Sequence, residues 1–183
     1  MGIHLLPPLF EVVLTPGVPQ PYASFTSGAD GTGAPIDTIT WVAQTFTAPT
    51  AHILRAVKLK LYRSVATGDY GDLIVSIRAV DGAGKPTGAD LSTGSLDANL
   101  LPDTAFGTWW QIYFSSGVAL TAATKYAIVC RLPGATFARY VRWTQGPPGV
   151  YTDGSRADSA DSGVSWTLQD PSDGRFEELG TPT

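Results

Sequence analysis

Short runs in which every second residue is apolar, each halted by Gly, Pro or Asp, leave this chain few ways to fold. VKLKLY sets Val57, Leu59 and Leu61 on one side and Lys58, Lys60 and Tyr62 on the other. DLIVSIRAV sets Leu73, Val75, Ile77 and Ala79 inward, with Ser76 and Arg78 outward. WWQIYF separates Trp110, Ile112 and Phe114 from Trp109, Gln111 and Tyr113, and KYAIVCRL gathers Tyr126, Ile128, Cys130 and Leu132. ITWVAQTF and ARYVRW follow the same rule. Side chains alternate between the faces of a strand, so this period of two is a strand signal, and no run keeps helical spacing over several turns. TGDYG, DGAGKPTGAD and QGPPG are turn or loop by composition, and TGDYG predicts a hairpin or short connection between its neighbours. The pattern predicts an all-β chain, a sandwich or a barrel, without a tandem repeat of propeller-blade length.

The composition agrees and removes several function classes. A chain of 183 residues with 43% hydrophobic content suits one domain that buries on the order of 70% of its unfolded surface. Its 20 glycines and 14 prolines supply the many turns that β architecture needs. Charged residues are 15% and the net charge is -4, so no basic footprint exists for nucleic acid or an anionic membrane. One cysteine, Cys130, makes an internal disulfide impossible, and its place in YAIVC reads as a buried small hydrophobe. MGIHLLPPLF lacks a positive n-region and is broken by Pro7 and Pro8, which predicts a chain without an export signal, made inside a cell. No run approaches the roughly 20 apolar residues of a membrane span.

Residues 1–37 differ from the rest. Clustered prolines give way to a Gly/Ala/Asp tract, and only EVVL is a short extended candidate. Proline removes a ladder donor, so this stretch reads as an extended N-terminal arm ahead of a domain spanning 38–183. Leu5, Leu6, Leu9 and Phe10 are its apolar anchors, suited to packing on a neighbouring subunit. At about 25 cal/mol per Å2 they would contribute several kcal/mol before ordering entropy is subtracted.

The octet SADSGVSW, residues 159–166, is spelled Ser-x-Asp-x-Gly-x-Ser-Trp. It resembles the Asp-box, a β-hairpin motif best known from the blades of sialidase propellers. That resemblance implies that Ser159 and Asp161 staple a turn, that Gly163 is its hinge and that the Trp166 ring packs beneath. A catalytic sialidase would also need several copies, an arginine triad and a tyrosine nucleophile, and the chain has one copy and no such frame. A wider resemblance runs from Trp41 to Gly180 through AQTFTAP, LKLYR, GDLIVSIRAVDGAGKPTGADLSTGS, WWQIYFSSGVALTAATKYAIVC, YVRW, DSGVSW and DGRFEELG. These pieces are similar to the jelly-roll β-sandwich modules of choice-of-anchor bacterial surface proteins and phage structural proteins. Such modules serve display, adhesion, glycan binding or virion architecture.

An EF-hand loop starting at Asp158 fails, because its third, fifth and twelfth positions hold Ala160, Ser162 and Gln169. Dispersed calcium ligands remain open at Asp153, Asp158, Asp170 and Asp173, though Asp in such loops commonly makes Asx-turns. Two histidines, His4 and His52, and one cysteine give no close-spaced zinc set. There is no Gly-x-Ser-x-Gly elbow, His52 is the sole base in the domain, and the only glutamates are Glu11, Glu177 and Glu178. Trp41, Trp110, Trp143 and Trp166 fall at core-facing positions. Trp109, Tyr113 and Tyr140 have the opposite parity and could stack on sugar rings or be covered by protein.

The expectation is a non-catalytic structural protein of a phage or phage-like particle, such as a capsid decoration, fibre or tail-surface module. It would assemble in the host cytoplasm with copies of itself and other particle proteins, without a cofactor. The alternative is an extracellular or cell-surface module for glycan binding or adhesion, with calcium as its candidate ion. Under the arm reading, a chain lacking residues 1–37 folds but no longer assembles. Trp166→Ala should cost roughly 3–5 kcal/mol in a urea melt and Asp161→Ala less, and equal negligible losses would contradict the hairpin reading.

Overall fold

The computed structural model describes residues 17–65, 67–135 and 138–183. Twelve strands are present: β1 (Gln20–Phe25), β2 (Gly31–Ile36), β3 (Trp41–Thr47), β4 (His52–Arg63), β5 (Asp72–Val80), β6 (Pro86–Asp97), β7 (Thr108–Leu120), β8 (Lys125–Arg131), β9 (Val141–Gln145), β10 (Arg156–Ser159), β11 (Thr167–Leu168) and β12 (Phe176–Pro182). A single turn of 3-10 helix, Ala98–Leu100, follows β6. Strand pairs are antiparallel throughout, in two six-stranded sheets.

In the first sheet β7 lies along one edge of β4, while β12 and then β9 share its other edge. Outside them β1 pairs with β12 and β2 with β9. The second sheet runs β11-β10-β3-β8-β5-β6. From β3 onward the chain crosses repeatedly between the sheets, so the architecture is an antiparallel, jelly-roll-like β-sandwich.

The core is the layer between the sheets. Leu54, Val57, Leu59, Leu61, Ile112, Trp143 and Phe176 of the first sheet meet Val42, Phe46, Leu73, Val75, Ile77, Ile128 and Cys130 of the second. Each such side chain contributes roughly 1.5–3 kcal/mol of burial free energy. Desolvation pushes the Cys130 thiol far above its ordinary value, as an inert apolar neighbour requires.

Several expectations are corrected. The TGDYG link does not close a hairpin, since β4 and β5 belong to different sheets; the buried Tyr70 fastens the crossing, its hydroxyl bonding Val65 N and Val65 O. Ala79 is exposed, because a register shift between Ile77 and Ala79 breaks the alternation. Ser76 points away from the core yet is fully buried, its hydroxyl accepting from Arg131 Nη1 at 3.1 Å.

The arm reading fails over residues 20–36, which form β1 and β2 of the first sheet. Of the prolines in this stretch, Pro21 and Pro35 fall in β1 and β2, edge strands that pair on one side only and so tolerate a missing N–H. Gly33 is required there: a Cβ would lie 2.8 Å from the Trp143 carbonyl oxygen. Leu5, Leu6, Leu9 and Phe10 lie outside the described residues.

One buried cation fastens this edge. Arg175, at the start of β12, is 1% exposed, and its guanidinium donates to the carbonyls of Ser27, Gly28 and Ala29, the last two at 2.6 and 2.7 Å. It stacks over Phe25 at 4.9 Å, and Asp30 lies beside it. The link between β1 and β2 is thus tied to the heart of the first sheet. Deleting residues 1–16 should leave one cooperative urea transition with an unchanged slope, whereas deleting 1–37 removes two strands and should abolish it. A cooperative transition for the longer deletion would contradict this account.

Candidate functional site

The two sheets treat their outer faces differently. On the second sheet Ala43 of β3, Ala127 and Val129 of β8 and Ala157 of β10 form an apolar patch facing away from the core. The hairpin following β10 folds back over it, and Trp166, 6% exposed, fills it, with Trp41 alongside. Trp41 and Trp166 were expected to face the core between the sheets; they belong to this second, outer cluster, whereas Trp143 is in the main core and Trp110 packs against it.

The hairpin is closed by its own side chains and anchored to the loop before β3, where Ser162 N donates to the Ile39 carbonyl at 2.9 Å. Ser159 Oγ donates to Asp161 Oδ1 at 2.7 Å and accepts from Gly163 N at 2.8 Å. Ser165 donates to Asp161 through its N–H at 2.9 Å and through its hydroxyl at 2.6 Å. Gly163 has φ +83°, and a Cβ there would lie 2.6 Å from the Trp41 ring, so both conformation and contact demand glycine. The rest of this face is held by charge. Arg131 and Arg78 lie over Trp41 at 5.1 and 5.5 Å, and Asp90 accepts from each at 2.7 Å. Burial pulls the Asp90 carboxyl upward, but the bonds from Arg131 and Arg78 outweigh it and hold the group below its usual range.

The first sheet has no such cover among the described residues. Trp109, Gln111 and Tyr113 of β7 stand on its outer face, paired with Lys60, Lys58 and Ala56 of β4. The lysines are neutralised: Lys58 Nζ meets Glu177 at 2.9 Å, and Lys60 Nζ meets Asp30. What remains presented to solvent is aromatic, with Trp109 38% and Tyr113 65% exposed.

Beyond Tyr113 the strand bulges. Val118 pairs with Leu54 and Tyr113 with Ala56, so residues 114–117 stand opposite Arg55 alone. The bulge leans toward the other sheet, where Ser92 Oγ donates to Ser116 O at 2.8 Å. It opens a groove of about 850 Å3 whose lining includes Pro19, Arg55, Tyr113, Ser116 and Thr181. On the other side of Tyr113 a cleft of about 450 Å3 reaches Ile74 and Thr93. Tyr113, Phe114 and Ser115 line both.

Tyr140 does not join this row. The Arg142 guanidinium lies over its ring at 4.9 Å and donates to its hydroxyl at 3.1 Å, beside a separate cleft lined by Pro35, Asp37 and Thr40. The four aspartates named as calcium candidates are not gathered. Asp158 is paired with Arg156, Asp173 is buried against Gln44, and Asp153 and Asp170 lie in exposed loop backbone. Among the described residues no three His, Cys, Asp or Glu side chains are grouped to hold a metal ion.

His52 is wholly buried. Its Nδ1 faces the Thr50 carbonyl at 2.9 Å and must carry a hydrogen; its Nε2 meets Glu178 Oε1 at 2.7 Å, and Tyr22 stacks on the ring at 3.8 Å. Burial raises the Glu178 carboxyl, an effect only partly offset by the bond from His52. Glu178 Oε2 and the Tyr151 hydroxyl are buried without hydrogen-bond partners. The pair joins β4 to β12 inside the protein, out of reach of a substrate.

Sequence parity identified Trp109 and Tyr113 as outward residues but offered no signal for Arg55, since a four-residue bulge in one strand has no mark in its partner. One consequence of the hairpin chemistry can be tested by pH. Bonds from Ser165 and Ser159 hold the Asp161 carboxyl down at about 2. A depressed folded value stabilises above the ordinary carboxylate range and is lost as pH falls through it. Tryptophan fluorescence from Trp41 and Trp166 should therefore report hairpin opening between about pH 4 and pH 2, and Asp161→Asn should remove that step. An unchanged acid profile in the variant would contradict the assignment. Compared as a whole with protein families, curated proteins and solved structures, the chain matches no family model, no curated protein and no solved structure.

Proposed function

We propose that the protein is a non-catalytic structural module of a phage or phage-like particle, a capsid decoration, fibre or tail-surface component, acting through protein–protein contacts of its open sheet face. The observation that carries this reading is the contrast between the faces: one sheet is sealed by Trp166, while the other presents Trp109 and Tyr113 on ground whose lysines are already paired. Exposed aromatics on a charge-neutral patch suit a protein interface. Gly17, where the described chain begins, lies on the wall of the groove beside that face. Its partners are other copies and other particle proteins, and its place is the virion.

A second reading, a glycan-binding or adhesion module at a cell surface, is favoured by one feature. The groove beside Tyr113 combines an aromatic ring with hydroxyls and a guanidinium, the groups that hold sugars. Sedimentation separates the two. On the first reading the intact protein self-associates, and Trp109→Ala with Tyr113→Ala releases monomers of unchanged circular dichroism. Association undiminished in the double variant, or an intact protein that stays monomeric at every concentration, would contradict the structural reading.

A further inference from the structure

We infer that the groove beside Tyr113 is a binding site for a sugar ring that bears a carboxylate, with Arg55 as its anion receptor. This rests on the glycan-binding reading given above. The chain has eight arginines, and seven of them are spent on acceptors of the protein. Arg78 and Arg131 take Asp90, Arg156 takes Asp158, and Arg175 takes three carbonyls. Arg63 and Arg142 donate to the carbonyls of Asn99 and Gly33, while Arg139 makes only a 3.4 Å contact with the Asp69 carbonyl but lies beside the Asp69 carboxylate. Arg55 alone has neither carboxylate nor carbonyl among the described residues; its one bond is a long contact of 3.4 Å from Nε to Thr181 Oγ1.

The bulge explains how this guanidinium is seated. A Cβ on Gly117 would lie 2.6 Å from Arg55 Nη1 and 2.7 Å from Ile53 Cγ2. Glycine at 117 lets the guanidinium lie against the β7 backbone, in a groove also lined by Tyr113, Ser115, Ser116 and Thr181. Those groups divide a pyranose between them. The ring's C–H face lies on the tyrosine, the serine and threonine hydroxyls exchange hydrogen bonds with its own, and the planar fork of Arg55 matches a carboxylate with two parallel N–H bonds.

Charge selects the carboxylate. Lys58 and Lys60, the nearest other cations on this face, are paired with Glu177 and Asp30, so among the described residues the groove offers one positive charge without a carboxylate beside it. A single carboxylate balances it. A phosphate monoester would leave excess negative charge against a protein of net charge -4.

The test titrates the full chain with glucuronate, its neutral methyl ester and glucose, following backbone amide shifts. Glucuronate should bind at least about ten-fold more tightly than the other two. Arg55→Ala should bring it down to the level of glucose, and Tyr113→Ala should weaken all three. Gly117→Ala, which displaces the guanidinium without removing it, should reduce the preference for glucuronate while leaving glucose unchanged. Equal binding of the three sugars, or a preference that survives Arg55→Ala, would overturn the Arg55 site while leaving a glycan-binding module standing. No shift with any sugar would overturn both the site and the glycan reading.

Discussion

Strand β8 is buried on both of its faces, and much of the architecture follows from that constraint. Tyr126, Ile128 and Cys130 point into the layer between the sheets, while Ala127 and Val129 point the other way. A sheet of a two-layer sandwich normally leaves its outer face to water, so this patch needs a cover of its own. The hairpin after β10 supplies one. Its Ser159, Asp161 and Ser165 bonds fix the turn, Gly163 lets Trp41 come close, and Trp166 closes the patch. The motif is therefore a lid on the outside of the sandwich.

Closing one face leaves the other as the exposed one. On one side of the first sheet the edge is blunted, since β1 and β2 carry prolines and Arg175 ties the link between them into the sheet, while β7 forms the opposite edge. A blunted edge does not invite a further strand. What remains on the face is the aromatic row of β7, the paired lysines of β4 and the groove beside the bulge. This face exposes side chains that are free to touch other molecules. His52 and Glu178 illustrate the converse, since their titratable atoms are spent on joining β4 to β12.

Much of the fold could be read from alternation. Val57, Leu59 and Leu61, like Tyr126, Ile128 and Cys130, lie where a period of two places them. Alternation fails where a residue's neighbours, not its own strand, decide its fate. Ala79 falls after a bulge, and Ser76 is covered by Arg131 from the next strand. GTGAPI looked unsuited to a ladder because edge strands tolerate proline and need glycine for close approach, so their sequences carry little strand signal. Trp41 and Trp166 have apolar character but no local sign of which side of a sheet they will cover. At the candidate site the parity of WWQIYF gave Trp109 and Tyr113, whereas Arg55 becomes distinctive only after every other arginine has found its acceptor in three dimensions.

The central claim is that one outer sheet face is sealed and the other open, and side-chain oxidation footprinting of the intact protein tests it most directly. Tyr113 and Trp109 should be modified rapidly, while Trp166 and Trp143 stay protected until the protein unfolds. Trp166 reacting as fast as Tyr113 would mean that the hairpin does not cover the second sheet, and the division between a sealed and an open face would be wrong.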